Sequence, residues 1–119
     1  MNNGLWTLGR VLLGLLFVMA SVGKFQGLEG FGEFIASKGF PAQLALPVAI
    51  FEAAAGLAII TGFFTKYAAY ALAAFCIFTA LIYHQGDIPG MLKNLAIAGG
   101  FMVLSVQGAG PFSIDAKRG

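Results

Sequence analysis

Glu52 is the only charged residue in an apolar run of 21 residues, 44–64. A carboxylate in so apolar a segment is costly, and it normally faces a bundle interior or a polar partner. Three groups far away in sequence can answer it: Lys24, His84 and Asn94. A carboxylate can hold or relay a proton, an ammonium or imidazole can donate a hydrogen bond or a proton, and an amide can do both hydrogen-bonding tasks. These four are the candidate ligand-binding residues. The same four could equally be a polar stitch that holds helices together. His84 is the sole histidine, which excludes a haem held by two histidines of one chain. With Glu52 and Asp87 it has the donor types that suit zinc or iron. The three lack any motif spacing, and no metal is assigned. Cys76 is the sole cysteine, so neither an intramolecular disulfide nor a C-x-x-C pair is available; its surroundings read as apolar packing. A second pair, Arg10 and Asp115, is expected to form a structural ion pair, with the Ser113 hydroxyl nearby. No residue is assigned a catalytic role, because the chain carries no self-contained redox or hydrolytic motif.

The elements that must position these groups are transmembrane helices. The 119 residues are 59% hydrophobic and 10% charged, against about 25% charged in soluble domains. The fold class expected is all-α integral membrane: an antiparallel bundle of four transmembrane helices in one domain, 1–119, with a short interfacial helix after the first span. The spans read as 5–24, 44–64, 67–84 and 91–108. A helix of 21 residues is about 31 Å long, the thickness of a hydrocarbon core. Val18-Met19-Ala20 loosely resembles a signal cleavage site, but no Lys or Arg precedes Arg10 and three apolar spans follow. The first span is therefore expected to be retained. Between the first two spans, Leu28, Phe31, Phe34 and Ile35 recur at helical spacing until Gly39 and Pro41.

Alternating spans bring Lys24, Glu52, His84 and Asn94 to the end of the bundle away from the termini, and Arg10 and Asp115 to the other. Helical phase predicts four inward stripes. They are Arg10-Gly14-Phe17-Ser21-Lys24, Ala45-Ala49-Glu52-Gly56-Ile59, Tyr70-Ala73-Ile77-Ala80-His84 and Asn94-Ala98-Phe101-Ser105-Gly108. The terminal end carries Arg10, Lys66, Lys117 and Arg118, and the other end Lys24, Lys38 and Lys93, which favours termini in the cytoplasm. The net charge of +2 gives no reason to expect a nucleic-acid partner.

This ordered set of residues resembles the DoxX family of small bacterial and archaeal four-helix membrane proteins. The matching residues are Leu8-Gly9-Arg10 through Gly14 and Gly23-Lys24-Phe25, then Glu52 with Gly56-Leu57, Gly62 and Thr65. His84, Asn94-Leu95, Gly99-Gly100, Gly108-Ala109-Gly110 and Ser113-Ile114-Asp115 follow. The resemblance implies a redox- or respiration-associated protein of the cytoplasmic (inner) membrane. It is also distantly similar to vitamin K epoxide reductases, but those need paired cysteines, which this chain lacks.

The resemblance implies a quinone-interacting or accessory subunit of a membrane redox system, with quinone as the candidate ligand and no cofactor identified from the residues. Lys24 or His84 would donate to a quinone carbonyl, Glu52 would relay the proton, and Asn94 would be a hydrogen-bonding neighbour. The alternatives are a non-catalytic scaffold or oligomerising protein and, less favoured, a small transporter. The partners to expect are the lipid bilayer, a membrane redox protein and a second copy of the chain.

Overall fold

The structure is a computed structural model and describes residues 3–82 and 86–118. All regular structure among these residues is helical: α1 (Asn3–Gln26), α2 (Leu28–Ser37), a 3₁₀ turn (Ala42–Leu44), α3 (Ala45–Thr61), α4 (Thr65–Ile82), α5 (Ile88–Gln107) and α6 (Ile114–Arg118). Four helices are long and apolar enough to cross a membrane: α1, α3 together with the 3₁₀ turn, α4 and α5. The shortest has 18 residues, about 27 Å of helix. Large apolar side chains such as Leu12, Leu15, Met19, Ile50, Leu57, Val103 and Val106 stand exposed on the outside, the arrangement that lipid covers.

The helices pack as two close pairs, α1 with α3 and α4 with α5. The first pair meets at two glycines. A Cβ on Gly14 would lie 2.7 Å from the Gly56 carbonyl oxygen, and one on Gly56 would lie 3.0 Å from that of Gly14. Only glycine allows backbones this near, and close approach is the means by which helices associate in lipid. The inward faces are Arg10, Gly14, Phe17 and Ser21 on α1, and Ala45, Ala49, Glu52, Ala55, Gly56 and Ile59 on α3. On α5 they are Ala98, Phe101, Leu104 and Ser105. The two pairs share a core around Phe17, Ile59, Leu72 and Phe101. Phe17 meets Phe101 and Phe75 edge-on, with ring centroids 5.6 and 6.2 Å apart, the favoured geometry for aromatic pairs.

The inward face of α4 keeps most of the expected stripe and departs from it at one end. Ala69, Leu72, Ala73, Cys76, Thr79 and Ala80 are buried, whereas Tyr70 is 61% exposed. Ala73 and Ala80 of the expected stripe are buried and Ile77 packs against the core, so the departure is at Tyr70, while Leu72, Cys76 and Thr79 widen the buried face. Apolar residues carry no phase where the outside is as apolar as the inside.

Three boundaries also shift for local reasons. α3 ends at Thr61, not Phe64, because Gly62 takes a left-handed backbone (φ +72°). The Phe63 N–H then returns to Ala58 O at 2.8 Å, closing a Schellman-type stop. α4 starts at Thr65, before the expected 67. α5 starts at Ile88, three residues before 91: Asp87 caps it by accepting from the Gly90 N–H at 3.1 Å, and Pro89 sits harmlessly in the first turn. α2 runs as expected and ends where Gly39 turns at φ +88°.

Candidate functional site

The seam between the two helix pairs widens beside Glu52 into a cavity of about 260 Å³. Its apolar walls are Leu16, Phe17 and Ala20 of α1 and Phe75 of α4, and Phe31 and Phe34 of α2 close it from the end. Its polar groups are Lys24, Glu52, Thr79 and Asn94, with the Cys76 thiol beside them.

Helical geometry explains each position. Glu52 follows Ala45 and Ala49 on the inward stripe of α3, two turns from the helix start, and is only 2% exposed. Lys24 lies in the last turn of α1, one step past Ser21 on the same stripe. Its Nζ stands 2.9 Å from Glu52 Oε2. At that distance the ammonium is a charge-assisted donor to the carboxylate. The ammonium also sits 5.1 Å from the centroid of the Phe31 ring, within cation–π range. Asn94 is near the start of α5, where its Nδ2 donates to Thr79 Oγ1 at 2.8 Å. The Thr79 hydroxyl donates in turn to Cys76 O at 3.2 Å. Asn94 therefore joins α5 to α4 and stands at the cavity wall with Glu52 and Lys24.

Three of the four candidate ligand residues, Lys24, Glu52 and Asn94, thus line one cavity. The fourth, His84, lies outside the described residues, and so does any metal set that includes it. Among the described residues, no group of three or more His, Cys, Asp or Glu side chains lies together in a way that could hold a metal ion. Sequence reasoning missed Thr79 and the aromatic closure by α2. Thr79 had a readable signal: it stands three residues after Cys76, on the same helix face.

At the opposite end the charges of Arg10 and Asp115 act on each other, while their hydrogen bonds run to the backbone. Arg10 is 3% exposed, and its guanidinium donates to Ala109 O, to Ile60 O at 3.1 Å and to Phe112 O at 3.0 Å. Asp115 accepts from the Phe64 N–H at 2.7 Å and the Thr65 N–H at 2.8 Å. The physical reason is local. The end of α3 and the irregular segment after α5 leave carbonyls without helical partners beside the arginine fork, and the start of α4 leaves N–H groups beside the carboxylate. Phe64 is held in a left-handed backbone (φ +48°), costly for a side chain of this size, and Asp115 fixes it there. Trp6 closes the same end by donating to Gly108 O at 3.1 Å.

The DoxX family model matches residues 5–85. The chain belongs to the DoxX family. The match takes in Arg10, Lys24 and Glu52 and ends before α5, so Asn94 and Asp115 lie beyond it. Among DoxX-like relatives, "Inner membrane protein YqjF" of Escherichia coli (strain K12) is 36% identical over 111 residues, 89% of this chain and 85% of that protein. "Inner membrane protein YphA" of the same organism is 31% identical over 92% of this chain and 87% of its own length. A shorter match, 35% identical over 48% of this chain and 42% of the relative, is to "Putative oxidoreductase CatD" of Bacillus subtilis (strain 168). No solved structure matches.

Proposed function

We propose that this DoxX protein resides in the inner membrane and holds a quinone ring in the cavity beside Glu52, as a quinone-interacting or accessory subunit of a membrane redox system. The observation that carries the reading is the make-up of the cavity: aromatic walls at one side, and a buried carboxylate with an ammonium and an amide at the other. Drug-sized ligands occupy about 300–1,000 Å³. A cavity of about 260 Å³ suits one substituted ring, with any isoprenoid tail running out between the helix pairs into lipid. The names of the relatives, two inner membrane proteins and one "Putative oxidoreductase", agree with this reading. The charge bias of the two ends supports cytoplasmic termini.

A quinone bound there supplies a two-electron, two-proton couple. Lys24 donates a hydrogen bond to a ring oxygen. Glu52, beside it, holds or releases the proton exchanged at that oxygen. Asn94 keeps its amide NH₂ on Thr79, which leaves its carbonyl oxygen free to orient a hydroxyl. A membrane redox partner provides the electrons.

Glu52→Gln keeps the shape and removes the ionisable group. The variant should bind a water-soluble quinone analogue about tenfold more weakly, by loss of one charge-assisted contact, while its circular dichroism and elution volume stay those of the parent. Equal affinity in parent and variant would defeat the proposal. One observation favours a purely structural role instead: Lys24–Glu52 ties α1 to α3, a closely packed pair. That reading predicts that Glu52→Gln lowers stability and that the parent binds no quinone analogue.

A further inference from the structure

The cavity beside Glu52 has an opening that the proposed function leaves unassigned. The helices neighbour one another in the cycle α1, α3, α4, α5, and the seam that closes the cycle, between α5 and α1, is the loosest of the four. These two helices run antiparallel and face each other at three levels. Nearest the termini, Trp6 donates to Gly108 O at 3.1 Å. Two turns on, Leu13 lies against Gly100, where a Cβ would stand 3.3 Å from the Leu13 Cδ2. Two turns further, Ala20 and Asn94 are both walls of the cavity. The seam is thus closed by contact at the first two levels and hollow at the third. The exposed part of the cavity lining is apolar. Leu16 is 46% exposed and Phe34 42%, whereas Glu52 and Thr79 are 2% and 8% exposed. Lys24 is partly exposed, and its ammonium is held between Glu52 and the Phe31 ring. Leu16 stands on the outer stripe of α1 with Leu12 and Met19, which are also exposed and which lipid covers. A residue that is at once cavity wall and lipid-facing surface marks an opening from the cavity into the bilayer.

We infer that the hollow between Leu16, Ala20 and Asn94 is the mouth of the cavity, that the ligand enters through it from the bilayer with an apolar chain trailing, and that Ala20 sets its width. The inference deepens the quinone reading and rests on it only for the identity of the ring; the mouth follows from the seam. Ala20 stands one turn past Leu16 on α1 and gives the mouth a wall of a single methyl group. The chemistry of the rim selects the class of ligand. A hydrocarbon chain lying in the mouth stays in apolar surroundings against Leu16, Ala20 and Phe34, whereas a charged or hydrated chain would be stripped of its water there. The cavity therefore takes a polar ring joined to a hydrocarbon chain in preference to the free ring or a charged conjugate of it.

Cys76 is the only cysteine of the chain and lines the cavity, so its alkylation reports on access whatever the ligand is. The full chain in phosphatidylcholine nanodiscs is treated with N-ethylmaleimide, which partitions into lipid, and with a sulfonated maleimide, which stays in water. Protein unfolded in SDS gives the complete extent of labelling. N-ethylmaleimide should label Cys76 and the sulfonated reagent should not. Ala20→Leu should slow the labelling and Leu16→Ala should quicken it, with circular dichroism and elution volume those of the parent. In equilibrium binding to the same discs, Ala20→Leu should weaken a benzoquinone with a decyl chain about tenfold, the worth of about two buried methylene groups. It should weaken the same ring without the chain less. Failure of N-ethylmaleimide to label, labelling by the sulfonated reagent at the same rate, or rates that neither variant changes would overturn the mouth. Equal losses for the two quinones in folded Ala20→Leu would overturn the role of Ala20. A parent that binds neither quinone but keeps the labelling pattern would defeat the quinone reading and leave the lateral mouth standing.

Discussion

The two ends of the bundle treat a buried charge in opposite ways. Arg10 and Lys24 lie on one stripe of α1, four turns apart. Arg10 is surrounded by backbone: three carbonyls from the end of α3 and the segment after α5 take its fork. Glu52, at the other end, is paired among the described residues with one side chain, Lys24, and a cavity lies beside it. A charge held by several fixed carbonyls organises chain segments and has little freedom to do anything else. A charge with one side-chain partner and space beside it can exchange that partner for a ligand. The difference separates a clasp from a candidate site more sharply than burial does, since both groups are almost wholly buried.

Stability measurements can break this contrast. Arg10→Ala should have the largest effect. It leaves the carbonyls of Ala109, Ile60 and Phe112 without their donor, and at about 1–3 kcal/mol for each buried group left unsatisfied the loss should reach about 3 kcal/mol or more. It would be read from denaturation in mixed detergent micelles. In the same measurement Glu52→Gln should cost about 1 kcal/mol or less, because Lys24 is partly exposed and keeps its place over Phe31. Equal losses in the two variants would erase the distinction. Asp115→Asn retains one acceptor for the two N–H groups at the start of α4, and should cost about 1 kcal/mol, seen as a modest fall in Tm. Asn94→Ala should be the mildest, about 0.6 kcal/mol for one hydrogen bond between helices in lipid. Its effect on quinone-analogue affinity should exceed its effect on Tm if Asn94 belongs to the site.

Much of the fold could be read from residues that fix helical phase. The stripes through Arg10, Glu52 and Phe101 coincide with the buried faces of α1, α3 and α5, because an ionisable or small residue in a span has a strong preference for the interior. On α4 the polar marker of the stripe, His84, lies outside the described residues; Ala73, Ile77 and Ala80 face the core as expected, and Tyr70 turns out. At the candidate site, hairpin topology brings Lys24 to Glu52 and Asn94 to the same wall. The contribution of α2 was not legible, since its exit angle from α1 decides whether Phe31 and Phe34 face the seam, and no residue pattern encodes that angle. The partners of Arg10 were hidden for another reason: they are backbone carbonyls, which every residue carries. Gly108, Gly110 and Pro111 mark where the chain leaves the helix, but they do not say which side chain those carbonyls meet.

The glycine crossing of α1 and α3 has a consequence for how the molecule is made. Both helices of that pair lie within residues 3–61, and both helices of the other lie within 65–107. The N-terminal hairpin can close while the nascent chain still lacks the second, as expected for units that form in order of synthesis. The cavity takes walls from both pairs and is therefore complete only once both pairs have packed together. The joint 62–64 is itself held, Gly62 O by the Asp115 N–H and the Phe64 N–H by the Asp115 carboxylate, so the end of the second pair is tied back onto the first once both have formed.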